Sequence, residues 1–156
     1  MNMFCYQCEQ TAGGKGCTKA GVCGKDPETA ALQDALLRVT TGISQYAHRA
    51  SGFGAKDAGL DRFVVEALFT TVTNVNFDPT KLSALVRRGG ELRDKARQVF
   101  ERAASKYGTP AAKVSGPATW EIPSGRDAML SAIRELGIYG RKAANGDDVT
   151  GLQELM

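Results

Sequence analysis

The chain's four cysteines all lie within its first 23 residues, in the pattern C-x2-C-x8-C-x5-C. They are Cys5, Cys8, Cys17 and Cys23. Thiolates bind zinc and iron–sulfur clusters, and glycines around them, at positions such as Gly13 and Gly16, let a short loop fold tightly around one centre. The chain's single histidine lies far from this loop, so a ligand set drawn from it would consist of thiolates alone.

The spacing of the cysteines alone leaves three interpretations of the loop open. Structural disulfides fit poorly, because the four residues before Cys5 contain no apolar targeting region that would direct the chain to an oxidising compartment. A four-cysteine zinc site usually pairs two C-x2-C knuckles, whereas the second cysteine pair here is separated by five residues. Uneven spacing is common among iron–sulfur ligands, so the pattern favours an iron–sulfur centre over zinc, and zinc over disulfides.

The charge of the loop suits a thiolate-bound metal. Lys15, Lys19 and Lys25 against Glu9 give the loop a net side-chain charge of about +2. A [4Fe–4S] centre held by four thiolates carries about −2 in its oxidised state, which these lysines would offset. A zinc tetrathiolate has the same formal charge, so this observation does not distinguish the two metals.

Composition indicates a small globular domain without a membrane-spanning segment. The chain has 156 residues, of which 42% are hydrophobic and 24% charged. Its longest apolar runs fall well short of the roughly 20 residues that cross a bilayer. The net charge of +3 is spread among interleaved acidic residues. We therefore expect neither a membrane nor a nucleic-acid partner, because the latter requires a basic stripe with aromatic residues.

Helical periodicity dominates the rest of the chain, and strand signals are weak. An acidic cap followed by proline predicts helix starts at Asp26 and Asp78. We predict four helices, over residues 26–52, 61–73, 78–108 and 126–136, with Gly89–Gly90 inviting a kink or a close neighbour. Residues 109–123 form an irregular crossing, in which Trp120 is interpreted as an anchor to the core rather than as a stacking platform or electron relay. His48 is expected at the surface near a helix end.

Several stretches carry a family resemblance. Residues 3–11 (MFCYQCEQT), 21–25 (GVCGK) and 68–78 (LFTTVTNVNFD) resemble the hybrid cluster proteins, also called hydroxylamine reductases or prismane proteins. The likeness extends over most of the chain. It implies that the four cysteines hold a [4Fe–4S] cluster. It also implies an all-α fold, a helical bundle domain of up to two small three-helix bundles with the cysteine-rich metal-binding loop at its N-terminus.

The resemblance implies a role in electron transfer. In that family the reaction occurs at a second, mixed iron–sulfur–oxygen cluster, held by later domains through a histidine, glutamates and further cysteines. This chain has no cysteine after Cys23, so we expect no catalytic residues in it. We expect a cytoplasmic module that accepts electrons from a soluble donor and passes them to a redox centre outside this sequence. The alternative is a non-catalytic helical scaffold or binding module stabilised by a four-cysteine zinc site.

The organisation of the chain suggests self-association. We divide it into a cluster-binding loop of residues 1–25 and a helical bundle of residues 26–156. Residues 147–156 repeat the acid-led start of the first helix, so the bundle is expected to end within its last helix. An apolar face around Leu32, Leu36, Val39 and Ile43 would then lack partners, which predicts association of two copies, for instance by exchange of a terminal helix.

Overall fold

The computed structural model describes residues 3–72, 74–136, 144–146 and 148–149. Within these ranges it contains four long helices: α1 (Pro27–Gly52), α2 (Ala58–Thr71), α3 (Pro79–Lys106) and α4 (Arg126–Leu136). Short 3-10 turns span Ala12–Gly14 and Gly116–Thr119, and the described ranges contain no β-strand. The predicted all-α fold is therefore confirmed. The helix start predicted over residues 147–156 lies almost wholly outside the described residues.

Acidic caps set the helix starts, as predicted for α1 and α3. The Asp26 carboxylate accepts a hydrogen bond from the backbone N of Thr29 at 2.7 Å. The Asp78 carboxylate accepts hydrogen bonds from the backbone N of Thr80 at 2.9 Å and of Lys81 at 3.2 Å. Each helix then begins with proline, whose missing N–H costs nothing at the first helical position.

The start of α2 was predicted three residues too late. The helix begins at Ala58, not Asp61, because Asp57 is its cap. The Asp57 carboxylate accepts hydrogen bonds from the backbone N of Gly59 at 2.9 Å and of Leu60 at 3.1 Å. The same carboxylate pairs with Lys95 of α3 at 2.6 Å, and the hydrogen bond with Lys95 lowers its pKa.

The chain divides into two compact units, the first formed by residues 1–34 and 123–156. It contains the cysteine-rich loop, the first two turns of α1, and α4. Glu28 at the start of α1 forms a two-pronged ion pair with Arg126 of α4. The apolar side chains buried in this unit are Met3, Cys17, Ala30, Ala31, Leu32, Met129, Leu130 and Ile133. The predicted division into residues 1–25 and 26–156 stays a prediction.

The second unit, residues 35–122, is built on α2, α3 and most of α1. Its fully buried side chains include Leu36, Val39, Ile43, Phe63, Leu82 and Val86. Gly89 permits a close approach, because a Cβ there would lie 2.7 Å from Val39 Cγ1. The close neighbour expected at Gly89–Gly90 is thus present, within a helix that continues unbroken from Pro79 to Lys106.

The irregular crossing contacts α1 and α3 at several points, in keeping with an anchoring role for Trp120. The Arg38 guanidinium lies 5.7 Å from the centre of the Trp120 ring, and Arg93 donates a hydrogen bond to the Trp120 carbonyl. The backbone N of Ala118 donates to the Gln45 side chain at 3.0 Å. These contacts bring the crossing against α1.

The apolar face that was expected to lack partners is buried. Leu32, Leu36, Val39 and Ile43 are all 0% exposed, so this reason for self-association was wrong. An exposed apolar stripe lies instead on α2 and the turn after it. Two residues of the stripe, Leu68 and Val72, follow the apolar periodicity of the sequence and yet are each 47% exposed. The stripe consists of Val65, Leu68, Phe69, Val72 and Val75.

Within the part of the chain that the structure describes, no helix is both long enough and apolar enough to cross a bilayer.

Replacing Gly42 with alanine tests the packing of α1 against the crossing. A Cβ at Gly42 would lie 2.5 Å from the Pro117 carbonyl oxygen, so the backbone must shift. We expect Gly42→Ala to lower the free energy of unfolding by about 1–3 kcal/mol, as overpacking does. Gly52→Ala is the matched control on the same helix, because a Cβ at Gly52 meets nothing within 4 Å. Thermal denaturation of both variants measures the difference, and equal stabilities would contradict the packing described.

Self-association stays a prediction, with the α2 stripe as the surface to test. Exposed apolar patches of this kind are commonly interfaces. If two copies associate through the stripe, Phe69→Glu should return the mass measured by light scattering to that of a monomer. Leu37→Glu, which changes an exposed apolar residue outside the stripe, should leave the mass unchanged. A monomeric mass for the unsubstituted chain up to high micromolar concentration would contradict the prediction.

Candidate metal centre

Backbone pairing places two of the four cysteines side by side. The N–H of Cys5 donates to the Cys17 carbonyl at 3.0 Å, and the N–H of Cys17 donates to the Cys5 carbonyl at 2.7 Å. The N–H of Met3 adds a third hydrogen bond, to the Thr18 carbonyl at 3.0 Å. The first and third cysteines of the pattern thus share one antiparallel bridge, although eleven residues separate them in sequence.

A glycine allows the chain to return to this bridge. Gly16 has φ +119°, a conformation that residues with a side chain rarely adopt. A Cβ at Gly16 would also lie 2.7 Å from the ring carbon Cε2 of Phe4. The position therefore requires glycine both for its backbone angle and for its packing. This requirement places Cys17, the next residue, in register with Cys5.

Cys17 is the cysteine whose surroundings most favour a thiolate. Hydrogen bonding from the backbone of Ala12 contributes most to lowering the pKa of Cys17, followed by the backbone of Val22 and the hydroxyl of Thr11. Burial of the side chain acts in the opposite direction, and the charge of Lys25 adds a smaller lowering. The Thr11 oxygen lies 3.7 Å from Cys17 Sγ and also donates to the Cys5 carbonyl at 3.1 Å. The thiolate is the form that binds metals.

A buried ammonium group lies beside Cys5. Lys25 Nζ is 3.7 Å from Cys5 Sγ and 3.4 Å from the side-chain oxygen of Gln7. The Lys25 side chain is only 3% exposed, whereas Lys15 and Lys19 on the same loop are exposed. The loop charge counted from the sequence is therefore distributed unequally, with one lysine in contact with a sulfur.

All four cysteines are free thiols; Cys17 is buried, and Cys5, Cys8 and Cys23 are half-buried. In the described part of the chain, no three His, Cys, Asp or Glu side chains form a group that could hold a metal ion. The structure thus brings Cys5 and Cys17 together but does not gather all four sulfurs around one point. Their assignment as common ligands stays a prediction. The chemistry of the donor set fits a thiolate-bound metal, because four unpaired thiols share one loop and one of them has a lowered pKa.

Sequence reasoning missed the individual roles of Thr11 and Lys25. The spacing of the cysteines gives no indication of a role for Thr11, because its contact with Cys17 depends on the turn between the two residues. Lys25 was counted only toward the net charge. Its position between Cys23 and the predicted helix start at Asp26 was the usable signal, because the loop meets the first helix there. His48, by contrast, is exposed on α1 as expected.

Known proteins resemble this chain along most of its length. The chain is 45% identical to a hydroxylamine reductase of Rhodospirillum rubrum over 154 residues, covering 99% of this chain and 28% of that protein. It is 45% identical to one of Geobacter sulfurreducens over 140 residues, covering 88% of this chain and 26% of the relative. It is 40% identical to a hydroxylamine reductase of Methanocella arvoryzae over 153 residues, covering 98% of this chain and 27% of the relative.

The chain thus spans between a quarter and a third of the length of these curated relatives. The sequence model of the Prismane/CO dehydrogenase family matches residues 3–155, which is nearly all of it. The four cysteines and helices α1 to α4 lie inside this match. The chain therefore belongs to the Prismane/CO dehydrogenase family.

Proposed function

We propose that this chain is an iron–sulfur electron-transfer module, in which Cys5, Cys8, Cys17 and Cys23 hold one [4Fe–4S] cluster. The observation that carries the proposal is the set of four free thiols on one folded loop, in a chain that matches the N-terminal part of hydroxylamine reductases. Four thiolates are the usual ligand set of such a cluster. When bound, the cluster supplies a one-electron couple.

The residues of the loop have separable tasks in this proposal. The Cys5–Cys17 bridge holds two ligands at a fixed separation before any metal arrives. Hydrogen bonds from the backbone of Ala12 and Val22 favour the thiolate of Cys17 and would donate to the same sulfur in the loaded protein. Cys8 and Cys23, which lie outside the bridge on the same loop, would complete the ligand set.

The proposed partners follow from the relatives. Because the relatives are named hydroxylamine reductases and are more than three times longer, we assign the reaction to a redox centre outside this sequence. The chain would receive electrons from a soluble donor and pass them to that centre. Four unpaired thiols suit a reducing compartment, and we propose the cytoplasm. We assign no catalytic residue to the chain itself.

A zinc-stabilised scaffold is the second candidate, and one observation favours it. Cys17 is part of the buried apolar cluster of Met3 and Ala30, with Cys5 packed against it, so the loop also contributes to the core of its unit. A metal at this position would stabilise the fold without any electron transfer. A brown protein with broad visible absorption supports the iron–sulfur proposal, whereas a colourless protein containing zinc supports the scaffold.

Replacing single cysteines tests the ligand assignment. We expect the chain purified without oxygen to contain about four irons, and each of Cys5→Ser, Cys8→Ser, Cys17→Ser and Cys23→Ser to lose most of them. The physical reason is that a cluster lacking one thiolate is held less firmly, and its open iron is lost to the solvent. Thr18→Ser, an exposed change on the same loop, is the control and should keep its iron. A stable content of four irons in all four cysteine variants would contradict the assignment.

Assays with hydroxylamine test the absence of catalysis. The chain alone should not reduce hydroxylamine at an enzymatic rate, because a second cluster would need ligands that we do not find in its sequence. Oxidation of a reduced dye, with and without hydroxylamine, measures this. A turnover of about 1–1000 per second by a pure sample would show that the chain is itself the enzyme.

A further inference from the structure

Lys25 is the one charged residue whose side chain is buried within the described part of the chain. Burying an ammonium group is costly unless nearby groups compensate for the lost water. The compensation includes Cys5 Sγ at 3.7 Å and the Gln7 side-chain oxygen at 3.4 Å. A thiolate at Cys5 would add a full opposite charge to this environment.

The backbone around Lys25 is tightly constrained. Its carbonyl accepts a hydrogen bond from the N–H of Gly21 at 2.7 Å, and the N–H of Gly24 donates to the Gly21 carbonyl at 2.9 Å. A Cβ at Gly21 would lie 3.0 Å from Lys25 Cβ and 3.1 Å from Cys23 Sγ. On its other side, Lys25 adjoins Asp26, the cap of α1. The loop thus holds the base of the Lys25 side chain in place.

From these contacts we infer that Lys25 raises the reduction potential of the proposed cluster by holding a buried positive charge against Cys5. The inference rests on the proposed function. Reduction adds one negative charge to the cluster, and a nearby ammonium group stabilises that added charge. The effect is large where water is excluded and small where it is not. Lys15 and Lys19 are exposed, so their charges are screened.

Three variants separate the charge of Lys25 from its bulk. Lys25→Met removes the charge and keeps much of the apolar stem, whereas Lys25→Arg keeps the charge. Lys19→Met removes an exposed charge from the same loop and is the matched control. The readouts are iron content and the midpoint potential from a potentiometric titration followed by visible absorption, first at low salt and then at about 0.5 M salt, where exposed charges are screened.

We expect Lys25→Met to shift the midpoint to a more negative potential at both salt concentrations. At high salt, the midpoints of Lys19→Met and of Lys25→Arg should both be close to that of the unsubstituted chain. If Lys25→Met cannot hold the cluster, the Lys25→Arg variant tests the inference in its place. Full iron in Lys25→Arg, with the midpoint of the unsubstituted chain, supports a role for the charge. A clearly more negative midpoint in Lys25→Arg overturns that role.

The experiment distinguishes a failure of the Lys25 inference from a failure of the iron–sulfur proposal. Full iron in Lys25→Met, with the same midpoint as Lys19→Met, would overturn the role of Lys25 and leave the iron–sulfur assignment standing. An unsubstituted chain that contains no iron–sulfur cluster after purification without oxygen would overturn both. A midpoint shift in Lys25→Met that disappears at high salt would also overturn the inference, because a buried charge is only weakly screened.

Discussion

The geometry of the cysteine-rich loop depends on the two hydrogen bonds between the backbones of Cys5 and Cys17. A loop of 25 residues with little regular structure has few ways to bring distant sulfurs together, and this bridge is the principal one here. Gly16 makes it possible by adopting a backbone angle that other residues avoid. Cys17 then enters the small buried cluster with Met3 and Ala30, which ties the loop to the beginning of α1.

Helix α1 connects the loop to the rest of the chain. Its cap, Asp26, follows Lys25 directly, and its first two turns belong to the same compact unit as the loop. The later turns contribute Leu36, Val39 and Ile43 to the core of the second unit. One continuous helix, Pro27–Gly52, therefore contributes residues to both units. Lys25 directly precedes the cap at which this helix begins.

The match to the Prismane/CO dehydrogenase family covers residues 3–155, although the relatives are more than three times longer. The proposed electron-transfer role needs only a ligand set and a suitable electrostatic environment from this chain. The free thiols, the lowered pKa of Cys17 and the buried side chain of Lys25 are all local features. They lie in the unit that contains residues 1–34.

The sequence by itself predicted the starts of α1 and α3, since an acidic cap followed by proline at Asp26 and Asp78 restricts the backbone locally. It also indicated the four cysteines as one candidate set, because they lie in one short segment, and their common ligation stays a prediction. Burial was harder to infer: Leu68 and Val72 follow the periodicity of α2 yet lie on its exposed side. Which face of a helix is covered depends on neighbours far away in sequence. For the same reason only the tertiary structure placed Lys25, and not Lys15 or Lys19, against a sulfur.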